Sequence, residues 1–157
     1  LWPRYLLTIL LCYFRLVGVF HFRCRLVKIP NKGRYALCAL FAVALQETRP
    51  VSVTQIAREL DISLSYLEQL FARLRRAGLV VGLRGVGGGY RLARPPEEIT
   101  VLDVLQAVGA LDGPPPRSDY LPEFLWNDLS RELAGFLAEL TLAELIARGT
   151  REAPAPA

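Results

Sequence analysis

Apolar and polar positions follow helical spacing over most of this chain, with one short interval of strand spacing. Tyr35, Leu37, Cys38, Phe41 and Leu45, with alanines between them, give a wide apolar face, so a helix is expected over 34–47, ended by Pro50. Ser52 opens a second helix, with Gln55 at capping-box distance and Ile56, Ala57 and Leu60 as its inward stripe. Asp61 follows where the chain must turn sharply, and aspartate tolerates the left-handed conformation better than most residues. Ser63 or Ser65 caps a third helix, whose Leu67, Leu70, Phe71 and Leu74 recur at i, i+3, i+4 and i+7 and form a core face. Gly78 closes it.

Two short helices joined by a tight turn are the helix-turn-helix layout. The outer face of the second carries Ser65, Tyr66, Glu68, Gln69, Arg73 and Arg76, residue types that hydrogen-bond base edges and phosphates. Residues 79–83 and 90–93 then read as strands flanking Arg84-Gly85-Val86-Gly87-Gly88-Gly89. A β-hairpin directly behind a helix-turn-helix is a wing. Its glycines admit close approach to a phosphate backbone, and Arg84 suits a minor groove or a phosphate. A nucleotide-binding glycine loop is excluded, because Tyr90-Arg91-Leu92 continues as strand where a helix would have to start.

Pro95-Pro96 stops the wing. Thr100 and Asp103 cap a helix over 101–108, and Leu111 to Pro116 begins a stiff connector. A last long helix is expected over 122–148, with a break near Thr141, which has Glu144 at capping-box distance. Its Trp126, Leu129, Leu133, Phe136 and Leu140 form an a/d seam that needs a partner, and a second copy of the chain is the expected one. The fold class expected is mainly α: a winged helix-turn-helix over 27–108, a proline-rich connector over 109–121, a dimerisation helix over 122–148 and a disordered tail over 149–157.

Charge sharpens this picture. The whole chain of 157 residues is only +4, but Lys28 to Arg94 holds eleven Lys/Arg against four acids, whereas Pro95 to Ala157 holds four against eleven. The basic middle is where a polyanion would bind, since phosphate neutralisation supplies much of nucleic-acid affinity. Three scattered cysteines, Cys12, Cys24 and Cys38, make no disulfide framework, which favours a reducing cytoplasm. Residues 1–26 are apolar and basic. Arg15 and Arg23 break them into runs of roughly ten and seven residues, too short to span a bilayer, and they offer no signal-peptide cleavage site. A membrane-surface anchor and a segment upstream of the true start both remain open; the second, which we prefer, has the native chain begin at Val27.

Four blocks carry a resemblance: Lys32-Gly33-Arg34-Tyr35-Ala36, then Ile62 to Phe71 (ISLSYLEQLF), then Arg84-Gly85-Val86-Gly87-Gly88-Gly89-Tyr90, and Thr141-Leu142-Ala143-Glu144-Leu145. Together they resemble the IscR/NsrR-type winged-helix regulators of the Rrf-two family, over residues 27 to about 148. Leu125 to Ser130 (LWNDLS) resembles the iron–sulfur cluster regulator of that family. The resemblance implies a homodimer on palindromic double-stranded DNA. Ser65, Tyr66, Glu68 and Gln69 are then expected in the major groove, and Arg84, Gly85, Gly87, Gly88, Gly89 and Tyr90 in the wing contact.

Cluster-bearing members place three cysteines in the connector. Here Gly109 to Glu123 contains neither cysteine nor histidine, so no cluster, metal or other cofactor is expected. Function is expected to be sequence-specific transcriptional regulation, with repression the expected direction. The alternative is a winged-helix adaptor acting through a partner protein. An enzyme is not expected, because residues 27–157 hold no histidine and no nucleophile paired with a base. The effector, whether a regulatory protein or a small molecule, is not legible.

Overall fold

The computed structural model describes residues 29–46, 49–85, 87–112 and 122–152, with backbone alone for 150–152. The leader, most of the connector and residues 153–157, with the expectations that fall on them, lie outside the described residues. Helices α1 (Asn31–Ala44), α2 (Val53–Glu59) and α3 (Leu64–Arg76) are followed by strands β1 (Val80–Leu83) and β2 (Gly89–Leu92). A 3-10 turn at Pro96–Glu98 leads to α4 (Val101–Ala107), and α5 (Glu123–Glu139) and α6 (Leu142–Glu152) complete the order.

Helices α2, α3 and α4 end by one device. After α2, Asp61 takes a positive φ of 52°, the Asp61 amide donates to Arg58 O and the Ile62 amide to Ala57 O at 3.1 Å. After α3, Gly78 (φ 70°) and Leu79 repeat the pattern onto Arg75 O and Leu74 O. After α4, Gly109 (φ 65°) and Ala110 repeat it onto Gln106 O and Leu105 O. These are Schellman closures, in which a left-handed residue lets its own amide and the next one satisfy helix-end carbonyls. Asp61 fills the role that glycine fills elsewhere, as its place in the sequence predicts.

Starts differ more from expectation. Helix α1 begins at Asn31, behind Pro30, and stops at Ala44, three residues earlier at each end than 34–47. The Ser52–Gln55 capping box does not form: Ser52 makes no side-chain cap bond, and Gln55 Nε2 donates instead to Glu59 Oε1, one turn on, at 3.0 Å. Of the two candidate caps for α3, Ser63 is the one used, accepting from the Tyr66 amide at 3.3 Å. The Thr100–Asp103 box is complete in both directions.

The strands form an antiparallel hairpin with Val80 opposite Leu92 and Leu83 opposite Gly89. Val51, ahead of α2, adds a bridge to the outer edge of β2 by exchanging both backbone hydrogen bonds with Tyr90 at 2.9 Å. The core lies between α1, α3, α4 and the hairpin. Phe41, Phe71, Leu40, Ile56, Leu67, Leu74, Leu79, Ile99 and Leu105 are its largest fully buried side chains, together with Leu142 from the C-terminal arm.

The expected long helix is two helices. Leu140 turns to an extended conformation, and Thr141 bridges to Thr100. The Val101 amide donates to Leu140 O and the Leu142 amide to Ile99 O, both at 2.8 Å. Thr141 Oγ1 then accepts from the Glu144 amide at 3.2 Å, so the break falls where the threonine–glutamate pair predicts it. Backbone helix continues to Glu152, into the stretch expected to be a tail. None of the helices among the described residues is long and apolar enough to cross a membrane.

Candidate nucleic-acid interface

Helix α3 divides cleanly around its axis. Leu67, Leu70, Phe71 and Leu74 are all buried. Because Ser63 takes the cap, Ser65 is released to the opposite side, where it is exposed with Glu68, Gln69 and Arg76. At 3.6 residues per turn these four share one solvent-facing stripe with Ala72. Arg76 Nε also donates to Ala72 O at 3.3 Å. The last turn carries three arginines, Arg73, Arg75 and Arg76, where the negative end of the helix dipole favours cations. Arg75 is exposed on the flank beside Leu64; the same helical arithmetic places it there, yet it is absent from the sequence-based site.

Tyr66 and Arg73 stand seven residues apart, on the other flank. Tyr66 is half-buried and meets Tyr35 of α1 edge-on, ring centroids 6.1 Å apart. Arg73 Nη1 donates to the carbonyl of Val108 at 2.9 Å, at the end of α4. The sequence pattern puts both residues on the outer face; in the structure each is turned toward its own domain at least in part.

The wing splits in the same way. Arg84, Gly85 and Gly87 are exposed at the tip, and the Gly88 amide closes a turn onto Gly85 O at 2.9 Å. Gly89 and Tyr90 are not part of that tip. Gly89 lies so close to the bridging segment that a Cβ there would stand 2.4 Å from Val51 O, so glycine is needed for chain packing. The Tyr90 ring packs on Phe71 with centroids 4.5 Å apart. The alternation of strand residues around the turn could have signalled this: Tyr90 pairs with Gly82, on the face shared with buried Val80.

The apolar stripe of α5 is divided along its length. Leu129 is 57% exposed and Phe136 62% exposed, and Leu125 beside them is exposed as well. Leu133 and Leu140 instead pack against the core of their own chain, with Leu137, which the sequence-based seam omits, fully inside. Trp126 is half-buried. The five expected seam residues therefore do not form one free face.

Cys38 packs at the edge of the core, and burial pushes its thiol up to about 11, with Arg34 pulling weakly the other way. A thiol so held stays protonated at neutral pH and is a poor ligand. Among the described residues there is no group of three His, Cys, Asp or Glu that could hold a metal ion.

A capped polar helix presented beyond a buried apolar stripe, with a glycine-tipped hairpin behind it, defines a winged helix-turn-helix DNA-binding protein. The chain belongs to the Rrf2 family of transcriptional regulators: the family model, described as "Iron-dependent Transcriptional regulator", matches residues 29–148. It is 42% identical over 146 residues to the HTH-type transcriptional regulator IscR of Cereibacter sphaeroides, covering 82% of this chain and 93% of that protein. Among solved structures it resembles IscR of T. potens, with TM-score 0.70 and 34% identity over 83% of this chain and 94% of that one. It also resembles CymR, the global cysteine regulator of B. subtilis, with TM-score 0.67 and 32% identity over 78% of this chain and 98% of that one.

Proposed function

We propose that this chain is a sequence-specific repressor that binds a palindromic operator as a homodimer and carries no iron–sulfur cluster. The observation that carries the reading is the outer face of α3. Ser65, Glu68, Gln69 and Arg76 are all exposed there, while every apolar residue of the helix except Leu64 at its start, the flanking Tyr66 and Ala72 is buried. Glutamine can bond adenine in bidentate fashion, serine bonds any base, and glutamate accepts from cytosine. Arg76 and Arg75 at the end of the helix suit phosphates, and Arg84 with Gly85 and Gly87 suits the minor groove or the backbone beside it.

The second copy docks on the outer edge of α5. Leu125, Leu129 and Phe136 recur at i, i+4 and i+11 on that edge and are exposed on a single copy. An apolar strip of this kind on an arm behind a DNA-binding domain fits a two-fold dimer, whose symmetry a palindromic operator mirrors.

The cluster is left out because residues 27–157, with Cys38 as their one cysteine and no histidine, offer no donor set for one. Residues 109–121 contain no Cys or His, and Cys38 has its thiol in the core edge rather than in a ligand set. Protein purified without oxygen should contain neither iron nor sulfide in stoichiometric amount; near-equimolar iron would overturn this part of the reading.

Selection of bound duplexes from random DNA tests the function. Enrichment of one palindromic sequence is expected. Absence of enrichment would favour a winged-helix adaptor that acts through a partner protein.

A further inference from the structure

Arg73 is exposed like the other arginines in the last turn of α3, but it alone among them is bonded to a distant part of its own subunit. Of the arginines in the last turn of α3, it reaches away from the outer face to an oxygen 35 residues along the chain. The oxygen is not arbitrary. The Schellman closure of α4 satisfies the carbonyls of Leu105 and Gln106, through the amides of Ala110 and Gly109. It leaves the carbonyl of the capping residue, Val108, without an amide from the motif. Val108 is fully buried, so its carbonyl is costly to strand. Arg73 supplies the donor, and its charge faces the negative ends of both α3 and α4.

Helix α4 is also the seat of the C-terminal arm. Helix α5 packs against it, and the backbone clip between residues 99–101 and 140–142 ties the start of α4 to the break before α6. One end of α4 is thus fastened to the arm and the other to the recognition helix. In a dimer joined through α5, the distance and angle between the two copies of α3 depend on how α3 is held against α4.

We propose that Arg73 is a positioning residue that locks the recognition helix to the arm and so sets the half-site spacing the dimer accepts, rather than a phosphate contact. This rests on the dimeric, operator-binding reading above. A phosphate-binding arginine and a positioning arginine are separable by salt. Each phosphate neutralised contributes about 0.9 to the slope of log affinity against log salt. A side chain held on its own subunit's carbonyl and meeting no phosphate adds little to that slope.

The test uses full-length wild type, Arg73→Ala and Arg73→Gln, the last keeping a donor without the charge. Fluorescence anisotropy is read on the selected operator and on versions with the centre lengthened or shortened by one base pair, at several salt concentrations. Expected for Arg73→Ala is an unchanged salt slope and a fall of about three- to tenfold in the preference for the correct spacing, the scale of one net hydrogen bond. Arg73→Gln should keep the wild-type slope and lose less of the preference; if Arg73→Ala does not fold, this variant decides. A slope lowered by about one per subunit with spacing preference intact would assign Arg73 to a phosphate and overturn the proposal. A lower melting temperature with slope and preference both unchanged would make its role structural only and also overturn it. Wild type that shows no preferred operator would instead refute the function on which the proposal rests.

Discussion

Helices α3 and α5 are both amphipathic, yet their apolar stripes meet different fates. In α3 the stripe is narrow, and the domain covers Leu67, Leu70, Phe71 and Leu74 entirely. What remains outside is mostly polar. In α5 the stripe is wider than the domain can cover. Leu133 and Leu137 pack on the core of their own domain, whereas Leu125, Leu129 and Phe136 line the edge toward solvent. A fully satisfied helix advertises its function through its polar face. A half-satisfied one advertises it through the apolar residues left over, because exposed aromatic and leucine side chains in one strip mark an interaction surface.

The sharpest way to break this comparison is to charge the outer edge of α5. Leu129→Glu with Phe136→Glu should leave the fold intact and give monomers in sedimentation, each buried carboxylate opposing association by about 3 kcal/mol or more. A dimeric double variant would mean that the partner sits elsewhere. Truncating the inner edge should do the reverse. Leu137→Ala should cost about 2–5 kcal/mol of folding stability in thermal or urea melts, the usual range for a buried leucine, and leave folded protein able to dimerise. Charged substitutions at Leu133 and Leu140 would mix the two effects, since both side chains pack on their own core.

The smallest effect expected belongs to the wing. Arg84→Ala should weaken binding to many DNA sequences alike and lower the salt slope by about 0.9 for each phosphate that is no longer neutralised. An effect confined to operators with A/T-rich flanks would instead assign Arg84 to a narrow minor groove.

The contrast also explains what can be read in the sequence. Local signals suffice for α3, the hairpin, the Asp61 turn, the Thr100–Asp103 box and the break at Thr141, because each depends on residues close together along the chain. They fail where a partner is distant. Nothing near Arg73 announces the Val108 carbonyl, and nothing near Tyr90 announces Phe71. Gly89 looks like one more loop glycine until Val51 is seen against it. In α5, heptad spacing finds the stripe but does not say which edge the rest of the domain covers. Ser52 and Gln55 have capping-box spacing, but Glu59 competes for the side-chain amide of Gln55 and takes it.

The central claim is that the outer face of α3 reads bases, and Gln69 tests it most directly. Equilibrium anisotropy of wild type and Gln69→Ala should be compared across all single base-pair variants of the selected operator. The account predicts a loss of about 1–3 kcal/mol on the best site, with preference relaxed at one position in each half-site and kept elsewhere. An unchanged affinity and an unchanged profile at every position would contradict it.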